Sequence, residues 1–290
     1  MILYNVSKNR VSLFSMRIFK TFNPENDLLR KYVSYYYLDI ATDDDYVNEY
    51  VCYPHFNNTI SLYKSHVSNF SSQHSLITYK KEAAPLQIFT PLREQILKVT
   101  QKGPVHKVAI VFNPLGIQQF FKQVSIHKNA VALDFFTADQ LNAIFDTLNE
   151  EHISLLLDSC LSGKYQRIEN PYLEKAIELF HHNTDDLSIE YLSENILGIS
   201  RKQLNRQFQK YMGTSAQKYR SIVRFRQLMD HKLHYKEQQN LTSLSHQAHY
   251  TDQSHFIKSC RQLTGLAPKQ FFSDGQLIGS KDTFWNFRAK

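Results

Sequence analysis

The segment YTDQSHFIKSCRQLTGLAP, Tyr250 to Pro268, decides the fold of the C-terminal part of the chain. Its Thr-Asp pair is a typical helix N-cap, and Gly265 stands where a left-handed residue often ends a helix. Between them, Phe256, Cys260 and Leu263 recur at helical spacing. The pattern therefore predicts an amphipathic helix over residues 252–263.

The same pattern occurs 52 residues earlier in the chain. That shift brings Leu204, Phe208, Tyr211 and Gly213 onto Phe256, Cys260, Leu263 and Gly265. In each copy a short helix and a tight turn precede a second, capped helix. The sequence therefore predicts two consecutive helix-turn-helix units. The second helices are expected at 200–211 and 252–263, and the helical stretch AQKYRSIVRFRQLMDHKL (216–233) joins the two units.

Helical geometry divides each second helix into two faces, because its apolar residues form one stripe that must face the core. The outward and flanking residues are Arg201, Lys202, Asn205, Arg206, Gln209, Gln253, Ser254, His255, Ile257, Lys258 and Arg261. Cations suit phosphates and guanine edges, amides suit adenine edges, and an isoleucine suits a thymine methyl group. We therefore expect these residues to contact DNA, although a solvated helix face would have the same residue types.

Positive charge is concentrated in the same part of the chain. Residues 195–272 hold thirteen Lys or Arg and three acids, a net charge of +10, whereas the whole chain carries +7. The remainder is therefore mildly acidic, and the local excess favours a polyanionic partner. Two helices on a rigid double unit can enter successive major grooves about 34 Å apart.

Two segments resemble the AraC/XylS family of bacterial transcription regulators: LSHQAHYTDQSHFIKSCRQLTGLAPKQFF (244–272) and LSIEYLSENILGISRKQLNRQFQKYMGTSAQKYRSIVRFRQL (187–228). The resemblance implies a C-terminal domain of two helix-turn-helix motifs joined by a long helix, and activation through contact with RNA polymerase. The chain departs from the family pattern in three places. His249 replaces a usual glycine, Cys260 replaces a usual Phe, and the first turn, ENILGIS, is one residue longer than usual.

The N-terminal half has a different pattern, with short β-branched and aromatic runs between Pro and Asn-rich turns. These predict an antiparallel β-rich domain, and the weaker family resemblance implies a cupin-like barrel that binds a small-molecule effector or forms a homodimer. A helical linker is expected at 138–161, where a Thr137 cap precedes a stripe of Leu141, Ile144, Phe145 and Leu148. This stripe fits a dimer helix and an interdomain core equally well.

The predicted organisation is α+β, with a regulatory domain at 16–165, a double helix-turn-helix domain at 170–273 and a tail at 274–290. The sequence also allows Met16 as an alternative start, which would make residues 1–15 dispensable. The three scattered cysteines, Cys52, Cys160 and Cys260, suit a reducing cytoplasm, and we expect no membrane span.

Other functions fit the sequence less well. His246, His249, His255 and Cys260 suggest a metal site, but His255 and Cys260 fall on different helix faces, so we expect no metal and no cofactor. A catalytic cupin needs clustered histidines, and His55, His66, His74 and His106 are isolated, so we expect no enzyme. The remaining alternative is a ligand-binding or protein-interaction module with a weak or vestigial DNA-binding domain.

Overall fold

A computed structural model describes residues 16–121, 130–182, 187–234, 253–278 and 284–287. Its strands are β1 (Arg17–Phe22), β2 (Val33–Ala41), β3 (Val47–Cys52), β4 (Asn58–Tyr63), β5 (His66–Phe70), β6 (His74–Tyr79), β7 (Leu86–Thr90), β8 (Leu97–Lys102), β9 (Val105–Phe112), β10 (Val131–Ala132), β11 (Gly275–Leu277) and β12 (Phe284–Phe287). Its helices are α1 (Asp27–Arg30), α2 (Ala138–Phe145), α3 (Glu150–Ser162), α4 (Pro171–His182), α5 (Ile189–Tyr191), α6 (Arg201–Met212), α7 (Ala216–His234), α8 (Gln253–Thr264) and α9 (Pro268–Asp274). A 3-10 turn spans Ile117–Gln119, and a π-helical turn spans Leu192–Ile196.

The strands form two six-stranded sheets, in the orders β1-β2-β9-β4-β7-β10 and β11-β12-β3-β8-β6-β5. Every described pair in the first sheet is antiparallel, and the second sheet contains one parallel pair, β6 with β8. The predicted β-rich domain and the α+β class are thus confirmed. Among the described residues, strand pairing does not close either sheet into a barrel, so the cupin-like barrel stays a prediction.

One face of the first sheet packs against helices of the N-terminal domain. Alternate residues of β2 and β9, such as Tyr36 and Ile110, belong to the same buried cluster as α2 and α3. Thr137 opens α2 with a capping box in which the Gln140 side chain takes part, as its spacing predicts. Leu141, Ile144 and Phe145 are buried there. The predicted stripe therefore belongs to the core of the N-terminal domain itself, which corrects both interpretations given above.

Leu148 does not join that core. Helix α2 ends at Phe145 and α3 begins only at Glu150, so Leu148 lies between the two helices. Its side chain is 46% exposed. A helical stripe continued across this break therefore assigns Leu148 to the wrong environment.

The opposite face of the first sheet lines a polar and aromatic interior shared with the second sheet. Tyr35 and Tyr37 of β2 point there, and a cavity of about 90 Å³ lies between the sheets. Lys107 of β9 is 3% exposed, and its Nζ lies 4.8 Å from the ring centre of Tyr37 and 5.2 Å from that of Tyr63. Its positive charge is thus held against aromatic faces, a favourable arrangement.

The C-terminal helices share one buried cluster that also contains two residues of the N-terminal domain. This cluster contains Leu204 and Phe208 of α6, Phe256 of α8, and Tyr53 and Leu92 from the N-terminal domain.

Within the described residues, no helix is both long enough and apolar enough to cross a membrane.

Polar contacts also join the two parts of the chain. Arg226 of α7 donates through Nε to the carbonyl oxygen of Pro54 (2.8 Å). Gln118, within the 3-10 turn, donates to the carbonyl oxygen of Tyr211 at the end of α6 (2.6 Å). The helix-turn-helix region is therefore docked on the N-terminal domain by directed hydrogen bonds as well as by apolar packing.

Candidate nucleic-acid interface

Helix α6 has a defined signal at each end. The Ser200 hydroxyl accepts a hydrogen bond from the backbone N–H of Gln203 (3.2 Å), and Gly213 ends the helix with a left-handed backbone at φ 69°. Both residues suit these positions, because serine satisfies an unpaired N–H and glycine carries no Cβ to clash. The helix spans Arg201–Met212, one residue later at each end than the predicted 200–211.

The two faces of α6 separate as the helical geometry predicts. Leu204 and Phe208 are fully buried. The predicted outward residues Arg201, Lys202, Arg206 and Gln209 are all exposed. Tyr211 is only half-buried, at the margin of the core, because Met212 lies deeper at the end of the helix.

Asn205 has a second role that sequence reasoning missed. Its side chain is half-buried, and its Oδ1 accepts a hydrogen bond from the backbone N–H of Ala216 (3.1 Å), the first residue of α7. This bond satisfies a helix N-terminal donor and ties α6 to α7. The amide oxygen is therefore engaged within the domain, which leaves the side-chain NH₂ group as the part suited to an outward contact.

A π-helical turn at Leu192–Ile196 leads into the first turn, ENILGIS, which the family resemblance makes one residue longer than usual. The backbone N–H of Leu197 donates to the carbonyl oxygen of Leu192 (3.0 Å), and Gly198 follows with φ 65°. A π turn holds one residue more than an α turn, so the insertion is absorbed before α6 begins. Leu192 and Ser193 remain buried, while Ile196 is 41% exposed.

Helix α8 repeats the arrangement of α6. Phe256, Cys260 and Leu263 are buried, whereas Lys258 and Arg261 are exposed and Ile257 is half-buried. Helix α8 runs over Gln253–Thr264, again one residue later than predicted, and Gly265 follows with φ 74°. The side chains of Gln253, Ser254 and His255 lie outside the described residues, as do His246 and His249.

Cys260 is a core residue, as its alignment with Phe208 predicts. It is fully buried, and burial raises the pKa of its thiol, which disfavours the thiolate needed for nucleophilic or metal chemistry. In the described ranges, no group of three His, Cys, Asp or Glu side chains is placed to hold a metal ion.

The outward cations of α6 and α8 form no ion pair with a described residue. The ion pairs found among the described residues all lie before α6. They are Lys20–Glu150, Arg30–Glu25, Arg30–Asp27, Arg167–Glu169 and Lys175–Glu178. Arg201, Lys202, Arg206, Lys258 and Arg261 take part in none of them. Their charges are therefore not neutralised by described acids and are available to phosphate groups.

Two further exposed cations were absent from the predicted set. Lys210 lies on α6 with its Nζ 5.0 Å from the ring centre of Tyr211, and Lys269 lies near the start of α9. Lys210 lies within the first predicted helix and Lys269 follows the second, so the charge of residues 195–272 includes both. Helical-wheel reasoning left them out because it considered only residues opposite the apolar stripe.

Other arginines of this region face inward and help hold the structure together. Arg226 is 4% exposed, and Arg220 donates through Nη1 to the carbonyl oxygen of Leu187. These two side chains therefore pack and bridge within the structure and are not placed to read bases.

Comparison with known proteins identifies the type of this domain. A family model described as a helix-turn-helix domain matches residues 194–274. Residues 194–274 are therefore a helix-turn-helix domain, which confirms the prediction of an AraC/XylS-type C-terminal region over the matched residues. No curated protein matches the chain.

Solved structures of ToxT from Vibrio cholerae resemble the chain at 10 to 12% sequence identity. The apo form of a single-substitution variant has 11% identity and a TM-score of 0.45, and covers 82% of this chain and 97% of that chain. A 1.65 Å structure has 10% identity and a TM-score of 0.44, over 90% and 98% of the two chains. Unsaturated fatty acid-bound ToxT has 10% identity and a TM-score of 0.40, over 92% and 96%. Because these scores are low, the functional argument rests on residues of this chain.

Proposed function

We propose that this chain is a sequence-specific, DNA-binding transcription regulator that acts in the cytoplasm and has no enzymatic activity. The observation that carries the proposal is the repeated arrangement of α6 and α8. Each helix buries two residues at the same register, Leu204 and Phe208 in α6 and Phe256 and Cys260 in α8, and exposes cations that no described acid neutralises.

In this proposal, α6 and α8 enter successive major grooves of one duplex. Arg206 and Lys258 occupy the same register of the two helices and are exposed, so we assign them the central contacts. Arg201, Lys202, Gln209, Ile257 and Arg261 flank them, together with Asn205, Gln253, Ser254 and His255. The regulator would act as an activator by contacting RNA polymerase and would form a homodimer. These finer assignments rest on the family resemblance.

The test is selection of duplex DNA from a random library with the full-length protein, followed by a mobility-shift assay over a range of salt concentrations. A specific regulator recovers a common sequence, and its affinity for that duplex falls steeply as salt rises, because each phosphate contact releases counterions. A protein-interaction module with a vestigial DNA-binding domain recovers no common sequence. That outcome would refute the proposed function.

The cavity between the two sheets supports an effector site in the same protein. Lys107, Arg93 and Arg226 line it together with several tyrosines. Its volume, about 90 Å³, has room for about three water molecules or for the anionic end of a larger molecule. Three cations on one small cavity favour an anionic group, so we propose a carboxylate effector.

Thermal unfolding of the full-length protein with added acetate, benzoate or decanoate tests this effector site. A carboxylate that binds the folded state raises the unfolding midpoint, and the rise grows with the logarithm of its concentration once that concentration exceeds its Kd. The Lys107→Met variant should lose this rise, whereas Lys102→Met, which removes an exposed lysine of β8, should retain it. Equal midpoint shifts in the two variants would exclude Lys107 as the anion ligand.

A further inference from the structure

The segment that follows the helix-turn-helix domain returns to the N-terminal domain. Strands β11 and β12 pair with each other, and β12 pairs antiparallel with β3 through Trp285 with Cys52, Asn286 with Val51, and Phe287 with Tyr50. The β11–β12 pair therefore forms one edge of the second sheet, whose other four strands all precede residue 103. We call this pair the C-terminal hairpin.

Trp285 anchors the C-terminal hairpin in an aromatic site. The indole is 7% exposed and stacks on Tyr50, with ring centres 4.2 Å apart and planes 10° from parallel. Phe19 and Tyr37 meet it edge-on at 5.5 and 6.4 Å. Stacked and edge-to-face arrangements are the favoured geometries for aromatic pairs. The site thus fits one flat ring closely, and the ring that fills it comes from the opposite end of the chain.

Few backbone pairs attach the C-terminal hairpin to the rest of the second sheet. Three residue pairs join β12 to β3, and β11 contains three residues. A two-stranded hairpin is at best marginally stable alone, so this one depends on its docking. An attachment of this size can be reversed when another binding event favours the open state.

The position of the C-terminal hairpin couples this attachment to the second helix-turn-helix unit. Helix α9 ends at Asp274, and β11 begins at the next residue, Gly275. Phe271 of α9 also meets the ring of Tyr53 edge-on at 4.7 Å. When the C-terminal hairpin is docked, the end of α9 is therefore held against the N-terminal domain. The first unit is held separately, through the hydrogen bond from Gln118 to the carbonyl oxygen of Tyr211 in α6.

We propose that the C-terminal hairpin is an intramolecular clasp that holds the second helix-turn-helix unit on the N-terminal domain and opens when DNA binds. The proposal rests on the proposed DNA-binding function. The spacing of two recognition helices must match the helical repeat of the duplex. The clasp instead sets the position of the second unit by attaching it to the N-terminal domain. If the closed clasp weakens DNA binding by some factor, DNA weakens the clasp by the same factor.

A cross-strand disulfide tests the proposal in the full-length chain. Val51 and Asn286 are directly paired, so Val51→Cys with Asn286→Cys places two thiols on one face of neighbouring strands. The variant also carries Cys52→Ser, which removes the adjacent native thiol. After oxidation, the affinity for the selected duplex should fall about tenfold, within the usual range of allosteric coupling, and dithiothreitol should restore it. The Cys52→Ser single variant, oxidised in the same way, should keep its affinity.

The possible outcomes separate the two proposals. If the wild-type chain binds no selected duplex, the proposed function fails. If the wild-type chain binds and the oxidised and reduced double-cysteine forms bind equally well, the function stands and the clasp does not gate DNA binding. Failure of the two thiols to join would contradict the strand pairing on which the clasp depends.

Trp285 supplies a second measurement in the unmodified protein, because it is the only tryptophan in the chain. Its fluorescence should be poorly quenched by acrylamide in the free protein, where the indole is buried. Saturating duplex should shift the emission to the red and increase quenching, as the indole enters water. An indole that remains shielded in the DNA complex would overturn the proposal.

Discussion

Arg226 and Tyr53 are joined by a hydrogen bond across 173 positions of sequence: Nη2 of the arginine donates to the carbonyl oxygen of the tyrosine at 3.2 Å. Arg226 lies on α7, between the two helix-turn-helix units, and Tyr53 directly follows β3 of the N-terminal domain. The ring of Tyr53 contacts Phe271 of α9. Tyr53 of the N-terminal domain thus contacts both the linking helix α7 and helix α9, which follows the second unit.

Replacing Arg226 with methionine should lower the free energy of unfolding by about 2–4 kcal/mol. The substitution keeps much of the side-chain volume but removes the donors to the Tyr53 and Pro54 carbonyl oxygens, which then lose these bonds in a buried place. Urea unfolding followed by Trp285 fluorescence measures the change. Gln217→Ala, at an exposed position of the same helix, is the control and should change stability by less than about 0.5 kcal/mol. Equal effects of the two substitutions would contradict a role for Arg226 in docking.

Arg206→Ala and Lys258→Ala should each weaken binding to the selected duplex by about 1–3 kcal/mol. Both side chains are exposed, so their loss should leave the folded structure intact. Fluorescence anisotropy with labelled duplex measures the affinity. Lys102→Ala removes an exposed cation from β8 and controls for the loss of one net charge. If all three variants bind alike, α6 and α8 do not form the interface.

Stability should depend on pH through His181, which lies where α4 meets the N-terminal domain. Its Nε2 lies 2.9 Å from the Tyr219 hydroxyl, and its ring meets Phe56 edge-on at 4.6 Å. Burial, with a smaller effect from the positive charge of His182, lowers the pKa of His181 to about 4. In the unfolded chain, His181 therefore binds a proton below about pH 6.5, whereas in the folded chain it stays neutral down to about pH 4. Stability consequently falls as the pH decreases towards 4.

From pH 7 to pH 5, this effect should cost about 2 kcal/mol for His181. Burial also lowers the pKa of His106 to about 4 and lowers the pKa values of His55 and His66, so the wild-type loss includes further contributions. The His181→Gln variant cannot titrate at this site and should lose less stability over the same interval. Urea unfolding at the two pH values measures the difference. Identical pH slopes for the two proteins would show that His181 keeps an ordinary pKa.

Asp158 should stabilise the N-terminal domain through two hydrogen bonds made by its buried carboxylate. Oδ1 accepts from the Tyr36 hydroxyl, and Oδ2 accepts from the backbone N–H of Asn26, both at 2.7 Å. Asp158→Ala leaves two donors without an acceptor and should cost about 3 kcal/mol, whereas Tyr36→Phe should cost about 1 kcal/mol. Thermal and urea unfolding compare the variants. A Tyr36→Phe loss as large as that of Asp158→Ala would assign the effect to the tyrosine alone.

Local patterns predicted the helix-turn-helix region well. The spacing of Leu204 and Phe208, repeated by Phe256 and Cys260, correctly identified the buried faces of α6 and α8. The capping residues Ser200 and Thr137 were also evident, because a cap lies within a few residues of the helix that it opens. Such features depend on neighbours in sequence, and a single chain displays them directly.

Contacts between distant segments were not predictable in this way. Trp285 lies in a four-residue strand that shows no clear periodicity, and its partner Cys52 lies more than two hundred positions away. Arg226 looks like any cation of a basic helix until the carbonyl oxygens of Tyr53 and Pro54 are placed beside it. For the same reason, strand runs alone did not predict the order of the strands in the two sheets.

The π turn at Leu192–Ile196 bears on how such domains are found in genomes. The family resemblance makes this turn one residue longer than usual, yet the buried Leu192 and the Ser200 cap both keep their structural roles. A search that demands a fixed interval between these two landmarks would misalign this chain by one position or discard it. Patterns that allow one optional residue at this turn should recover divergent members that rigid spacing rules overlook.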